Sequence, residues 1–127
     1  MQLFSELKFN DKGLIPAIIA DAVDNHVLTL CYMNEEALRK TIETGKVYVF
    51  RRSQNRLMLK GETSGHIQTV KEIFFDCEGN SLVFKVEQKV AACHAGYRTC
   101  YFRRYNPQTD SIQIAENKVF EPEKVYK

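Results

Sequence analysis

The sequence predicts an α+β fold that is mostly β, a small mixed sheet or barrel-like domain with one main helix. Three observations carry this expectation. Runs rich in β-branched and aromatic residues recur along the chain, one segment has both ends of a helix written into it, and a turn signal joins two of the strand-like runs. The 127 residues make one domain, 1–127, large enough to bury a core without disulfide staples. That core is expected over about 14–105. Residues 106–127, with Pro107 and Pro122, are expected to be a peripheral C-terminal tail.

The first strand-like run is "HVLTLCY", from His26 to Tyr32. The helix follows in "MNEEALRKTIETG". Asn34 is its N-cap, Met33 and Leu38 are spaced as a hydrophobic staple, and Gly45 suits a left-handed exit. Glu35–Arg39 and Glu36–Lys40 stand at supportive i,i+4 spacing, and Leu38 with Ile42 forms a short apolar stripe. "KVYVF" (46–50), "RLMLK" (56–60) and "HIQTVKEIFF" (66–75) read as strands. In "SLVFKVEQ" (81–88), Leu82, Phe84 and Val86 share one face, the signature of a half-buried strand. The turn "DCEGN" (76–80) makes the last two a hairpin. "TCYFRRY" (99–105) and "SIQIA" (111–115) add late strands. Sheets with unpaired edges pair readily with a second copy, so a homodimer is expected.

A formal net charge of +2 is too small to predict a nucleic-acid or membrane surface. The opening "MQLFSELKFNDKG" has no basic segment followed by an apolar run, so no signal peptide or membrane span is predicted. The expected compartment is therefore the reducing cytoplasm, where disulfides are rare. The four cysteines are then either buried small residues or chemistry.

"AACHAGYRTC" (91–100) places Cys93 and Cys100 seven positions apart with His94 beside the first. Cys77 lies in the hairpin turn between Asp76 and Glu78. A sheet can bring these three thiolates together, within one chain or across a dimer, and three protein ligands leaving one open position is the pattern of catalytic zinc. On the spacing alone, buried cysteines are the leading reading and a metal site the second. An unperturbed imidazole titrates near neutrality, so His94 suits a base beside a metal or a plain packing role. Asp76, Glu78 and Asn80 put oxygen ligands at alternate positions, fit for a hard cation or for a solvated turn. "KGETSG" combines Lys60, Gly61, Thr63, Ser64 and Gly65, which suits a phosphate cradle or a polar hairpin loop, with Arg51, Arg52 and Arg56 just upstream. Cys31, in an apolar strand, reads as a buried structural thiol.

"YMNEEAL", "KGETSGHIQ", "DCEGN", "VEQ" and "ACHAGYRTCYF" together resemble, in order and spacing, the phosphoribosyl-AMP cyclohydrolase family of histidine biosynthesis, over about Leu14 to Arg103. The resemblance implies a mixed β fold, an intertwined homodimer, and a nucleotide substrate, 1-(5-phosphoribosyl)-AMP, whose adenine ring is opened hydrolytically at the N1–C6 bond. It implies Zn²⁺ held by Cys77 of one subunit and Cys93 and Cys100 of the other. Three thiolates would lower the metal's Lewis acidity, so a neighbouring donor or base is useful, and His94, next to Cys93, is the candidate for that catalytic role. The resemblance puts the Mg²⁺ ligands at Asp76, Glu78 and Asn80, and the phosphates against Arg52, Lys60, Gly61, Thr63, Ser64 and Gly65. The chain departs from the family pattern at Glu78 and Asn80, where aspartates are usual. It departs again at Met58 in place of Trp and at Arg51 in place of Ser.

Overall fold

The computed structural model describes residues 1–89 and 95–125. In chain order the elements are a 3₁₀ turn (Leu3–Glu6), β1 (Ile15–Asp21), β2 (Val27–Met33), α1 (Glu35–Thr44), β3 (Tyr48–Arg51), β4 (Arg56–Leu59), β5 (Gln68–Phe75), β6 (Leu82–Gln88), β7 (Arg103–Asn106), β8 (Ser111–Ile114) and α2 (Pro122–Val125). Four strands form a mixed sheet in the order β2-β1-β6-β5, while β3–β4 and β7–β8 are separate two-stranded ribbons. β1 runs antiparallel to β2 and parallel to β6, and β5 is antiparallel to β6. Among the described residues the sheet is open at β2 and β5, so the expected barrel-like closure does not occur there. Four strands are too few to curl back on themselves, since small closed barrels take about eight.

β1 sits at the centre of the sheet although Pro16 lies within it. A proline cannot donate to a ladder, and the register avoids the conflict. Pairing with β6 begins one residue later, at Ala17↔Leu82. Ile15, Ala17 and Ile19 of β1 are fully buried, as are Leu82, Phe84 and Val86 of β6, on the face that the alternation in β6 predicts. Leu28, Met33, Ala37, Leu38 and Val47 complete this core beneath α1. Phe84 is the largest fully buried side chain, and truncating such a residue to Ala costs about 3–5 kcal/mol.

α1 forms where the capping residues require. The Asn34 side chain accepts a hydrogen bond from the Ala37 N–H at 2.8 Å. Gly45, at φ 73°, closes the C-terminus by donating to the Thr41 carbonyl. Arg39 meets Glu35 at 2.8 Å. Lys40 turns instead toward the Tyr48 ring, its Nζ 5.5 Å from the centroid. The β5–β6 hairpin forms across the expected turn, closing at Phe75↔Leu82. Among the described residues, no helix is long and apolar enough to cross a membrane.

Candidate active site

A cleft of about 1470 Å³ opens along the outer edge of the sheet. Its walls are β2 (Thr29 to Tyr32), the β3–β4 ribbon, the loop from Lys60 to Ser64, and Ala95, Cys100, Pro122 and Glu123. Lys12, Arg51, Arg52 and Lys60 all line it, against the carboxylates Glu62 and Glu123. Glu62 is already matched by Arg56 at 2.6 Å, so the balance of charge favours an anionic occupant. Ordinary small-molecule sites occupy roughly 300–1,000 Å³; this cleft has room for a larger ligand.

Arg52 lies with its guanidinium carbon 3.9 Å from the centroid of the Tyr32 ring, which holds the charge at the cleft wall. Arg51 donates to the Met58 sulfur at 3.6 Å. The two departures from the family pattern on this ribbon are thus one contact. The "KGETSG" loop is tightly wound. Gly61 has φ +89°, and a Cβ there would come within 2.5 Å of the His66 carbonyl oxygen, so only glycine fits. The Gly65 N–H donates to the Gly61 carbonyl at 2.7 Å, and the Ser64 hydroxyl accepts from the His66 N–H. Of the expected phosphate contacts, Arg52, Lys60, Gly61, Thr63 and Ser64 stand on the cleft wall, while Gly65 shapes the turn behind them.

Cys31, Cys77 and Cys100 are all reduced thiols. Cys100 opens onto the cleft. Cys31 lines the same cleft and donates weakly to the Ala17 carbonyl at 3.5 Å. Burial pushes its thiol up to about 12, with Lys60 pulling the other way and Cys100 adding to the rise. It packs against the core but is only half-buried, not the fully buried thiol expected, and it lies within electrostatic reach of Cys100, which its apolar sequence context gave no sign of. Cys93 and His94 lie outside the described residues.

Cys77 is elsewhere. It is exposed in the turn joining β5 to β6, whereas Cys100 is docked outside β2, its N–H donating to the Leu28 carbonyl at 2.7 Å. The sheet order puts β1 between β2 and that hairpin, so three to four strand spacings, about 14–19 Å, separate the two thiols across the sheet. Thiolates sharing one zinc stand about 4 Å apart, given Zn–S bonds near 2.3 Å. Among the described residues, no three His, Cys, Asp or Glu side chains are grouped to hold a metal.

In the same turn Asp76 has a local duty. Its Oδ1 accepts from the backbone N–H groups of Asn80 at 2.6 Å and Ser81 at 3.2 Å. Desolvation raises its pKa, but the amides of Asn80, Ser81 and Gly79 outweigh that and hold it below the usual carboxylate range. Glu78 and Asn80 are exposed beside it.

The tail is not merely peripheral. The Gly96 carbonyl accepts from the N–H groups of Val119 and Phe120, at 2.7 and 3.3 Å. Phe120 packs edge-on against His66 with ring centroids 4.8 Å apart, and Pro122 and Glu123 reach the cleft. The tail's prolines signal only an interruption of regular structure. The backbone pairing that brings it to the site leaves no trace in local sequence.

Fold and site together define a small α+β protein with a cationic cleft lined by two thiols, Cys31 and Cys100. Comparison with known proteins narrows this to one family of hydrolases. The model of the phosphoribosyl-AMP cyclohydrolase family matches residues 29–102. The phosphoribosyl-AMP cyclohydrolase of Desulforapulum autotrophicum is 52% identical over 124 residues, covering 96% of this chain and 98% of that protein. That of Methanosarcina barkeri is 48% identical, covering 98% and 92%. The histidine biosynthesis bifunctional protein HisIE of Thermoanaerobacter pseudethanolicus is 47% identical over 98% of this chain, which spans 56% of its length. The chain belongs to the phosphoribosyl-AMP cyclohydrolase family.

Proposed function

We propose that this protein opens the adenine ring of 1-(5-phosphoribosyl)-AMP by hydrolysis of the N1–C6 bond, in the cytoplasm, as a homodimer with zinc shared between subunits. The carrying observation is the pairing of Cys100, on a cationic cleft, with Cys77, displayed on the far side of the sheet. One chain keeps these thiols apart, and a second chain can bring its own Cys77 to the cleft. The donor set suits the metal, since thiolates are soft ligands that zinc accepts and magnesium does not. Cys77 of one subunit, with Cys93 and Cys100 of the other, would hold it.

Bound zinc supplies a Lewis acid that lowers the pKa of a coordinated water toward 7. The protein's own groups do the rest. Arg52, Lys60 and the Gly61–Ser64 loop bind the substrate phosphates and set the adenine at the cleft floor. Substitution at N1 leaves C6 electron-poor, so water adds there. The N1–C6 bond then breaks, with the oxygen retained as a carboxamide and N1 taking a proton. His94 is assigned that proton transfer, because imidazole titrates at the working pH. Asp76, Glu78 and Asn80 would offer oxygen ligands to Mg²⁺, on the same turn that would bring Cys77 to the zinc.

A second reading rests on the nearness of Cys31 to Cys100. With Cys31 as a fourth ligand the metal would be closed and structural, and the protein a zinc-stabilised binder. Ring opening by purified protein, before and after chelation and zinc return, tests the enzyme directly. Metal analysis separates the readings: Cys100→Ser loses zinc in both, whereas Cys31→Ser keeps it only if the site is open.

A further inference from the structure

Cys100 is built into the protein by the two residues before it. Thr99 is completely buried. Its hydroxyl lies 2.8 Å from the Val27 carbonyl and 3.1 Å from that of Leu28. Having one proton, it donates to the nearer, Val27, and accepts from the Tyr101 N–H at 3.0 Å. The Cys100 N–H donates to the Leu28 carbonyl at 2.7 Å. Both sides of Cys100 are thus tied to the start of β2.

That attachment needs an irregular strand. In a regular strand successive carbonyls point to opposite edges, so Val27 and Leu28 could not both face Thr99. The β1–β2 register breaks at this place. Ile19 pairs with Thr29 and Ala20 with Val27, leaving Leu28 unpaired as a bulge. A bulge re-aims the backbone next to functional sites, and here it turns two neighbouring carbonyls on the edge strand outward.

Arg98 is gripped as firmly. Its Nη2 lies 2.9 and 2.7 Å from the two oxygens of Asp24 and 3.0 Å from Asp21. Both aspartates also cap the β1–β2 turn, accepting from the N–H groups of Val23 and His26. The Arg98 carbonyl accepts from Gln88 at 2.9 Å, and Gln88 accepts in turn from the buried Gln68 at 2.8 Å.

We infer that Thr99 and Arg98 are positioning residues that hold the Cys100 thiolate for metal binding, with the Leu28 bulge as their anchor. This rests on the reading of Cys100 as a zinc ligand. Groups that orient metal ligands are typically worth about 10–100-fold in metal affinity. Zinc affinity is measured by competition with a chromophoric chelator on the full-length protein, alongside urea unfolding of each metal-free variant. Thr99→Val, which keeps the shape and removes the hydroxyl, is expected to weaken zinc by about 10–100-fold. Thr99→Ser, which keeps the hydroxyl, is expected to bind as the wild type does. Asp24→Ala loosens Arg98 from an exposed position and is expected to weaken zinc severalfold; it decides the matter if Thr99→Val does not fold. Wild-type affinity in Thr99→Val and Asp24→Ala, with Cys100→Ser weakened, overturns the positioning role alone. Wild-type affinity in Cys100→Ser overturns the zinc reading beneath it.

Discussion

Cys100 is held by residues far from it in sequence: Val27, Leu28, Asp21, Asp24 and Gln88 fix the three positions from Arg98 onward. Cys77 is held by its own turn. Asp76 Oδ1 caps the amides of Asn80 and Ser81, and the Gly79 N–H returns to the Asp76 carbonyl at 3.0 Å. The only long-range tie of this kind is from the Lys8 N–H to the Gly79 carbonyl, at 2.8 Å among the described residues. Both thiols are exposed, but one stands on the wall of a cleft and the other on a turn held mainly by its own hydrogen bonds. The difference suits a site assembled from two chains, in which one side is a socket and the other a projecting contact.

The strongest way to break this comparison is to divide the lesions between chains. Cys77→Ser and Cys100→Ser proteins are each expected to be inactive. After random subunit exchange half the dimers are mixed, each with one intact site of two, so about a quarter of wild-type activity should return. No recovery after exchange verified by mass spectrometry would mean that each chain completes its own site.

Gly79→Ala tests whether the projecting side is rigid. Gly79 has φ +72°, and an added Cβ would meet the Glu6 carbonyl oxygen at 2.0 Å. The turn or the N-terminal segment must then move, at about 2–3 kcal/mol of stability. Urea unfolding checks this, and an unchanged midpoint would show the segment to be loosely seated.

A smaller effect is expected where the turn's charge changes. Asn80→Asp adds a carboxylate to the proposed Mg²⁺ ligands and should lower the Mg²⁺ needed for half-maximal activity by on the order of three- to tenfold, with zinc content unchanged. Superimposable titrations would reduce the turn to a carrier of Cys77.

The smallest effect belongs to the clamp on the socket side. Burial raises the Asp21 carboxyl, but the Val23 amide and Arg98 prevail and hold it below its ordinary range. A carboxylate so depressed adds stability above the unfolded-state pKa, near 4, and loses it as pH falls through the folded-state value. Asp21→Asn should therefore cost about 0.5–1 kcal/mol at pH 7. The gap from wild type should close as the solution is acidified below about pH 4. A gap independent of pH would assign the loss to packing.

The socket and the projecting turn also differ in how far local sequence reveals them. α1 and the β5–β6 turn follow from side chains acting on backbone a few positions away, which is why Asn34, Gly45 and "DCEGN" announce them. β1 gives no comparable sign. "IPAIIAD" has no clean alternation and carries a proline, and its central place depends on strands distant in sequence. "TCYFRRY" is strand-like in composition, yet only Arg103–Asn106 pairs. Thr99 and Cys100 leave the pattern because their hydrogen bonds go to the β2 bulge instead of a ladder.

What the sequence determined alone is the chemistry available and its local framing: thiols, a glycine-wound cationic loop, a capped helix, an acidic turn and a family resemblance. These depend on residue type and short spacing, where a hydrogen bond needs only its neighbours. What the tertiary structure decided is which groups meet. It placed Cys31 beside Cys100, seated Thr99 on a bulged edge, brought the tail to the cleft and kept Cys77 away from it. Each of those depends on pairing over tens of residues, where closure entropy is recovered only when the whole sheet forms, so no short stretch of sequence can specify it.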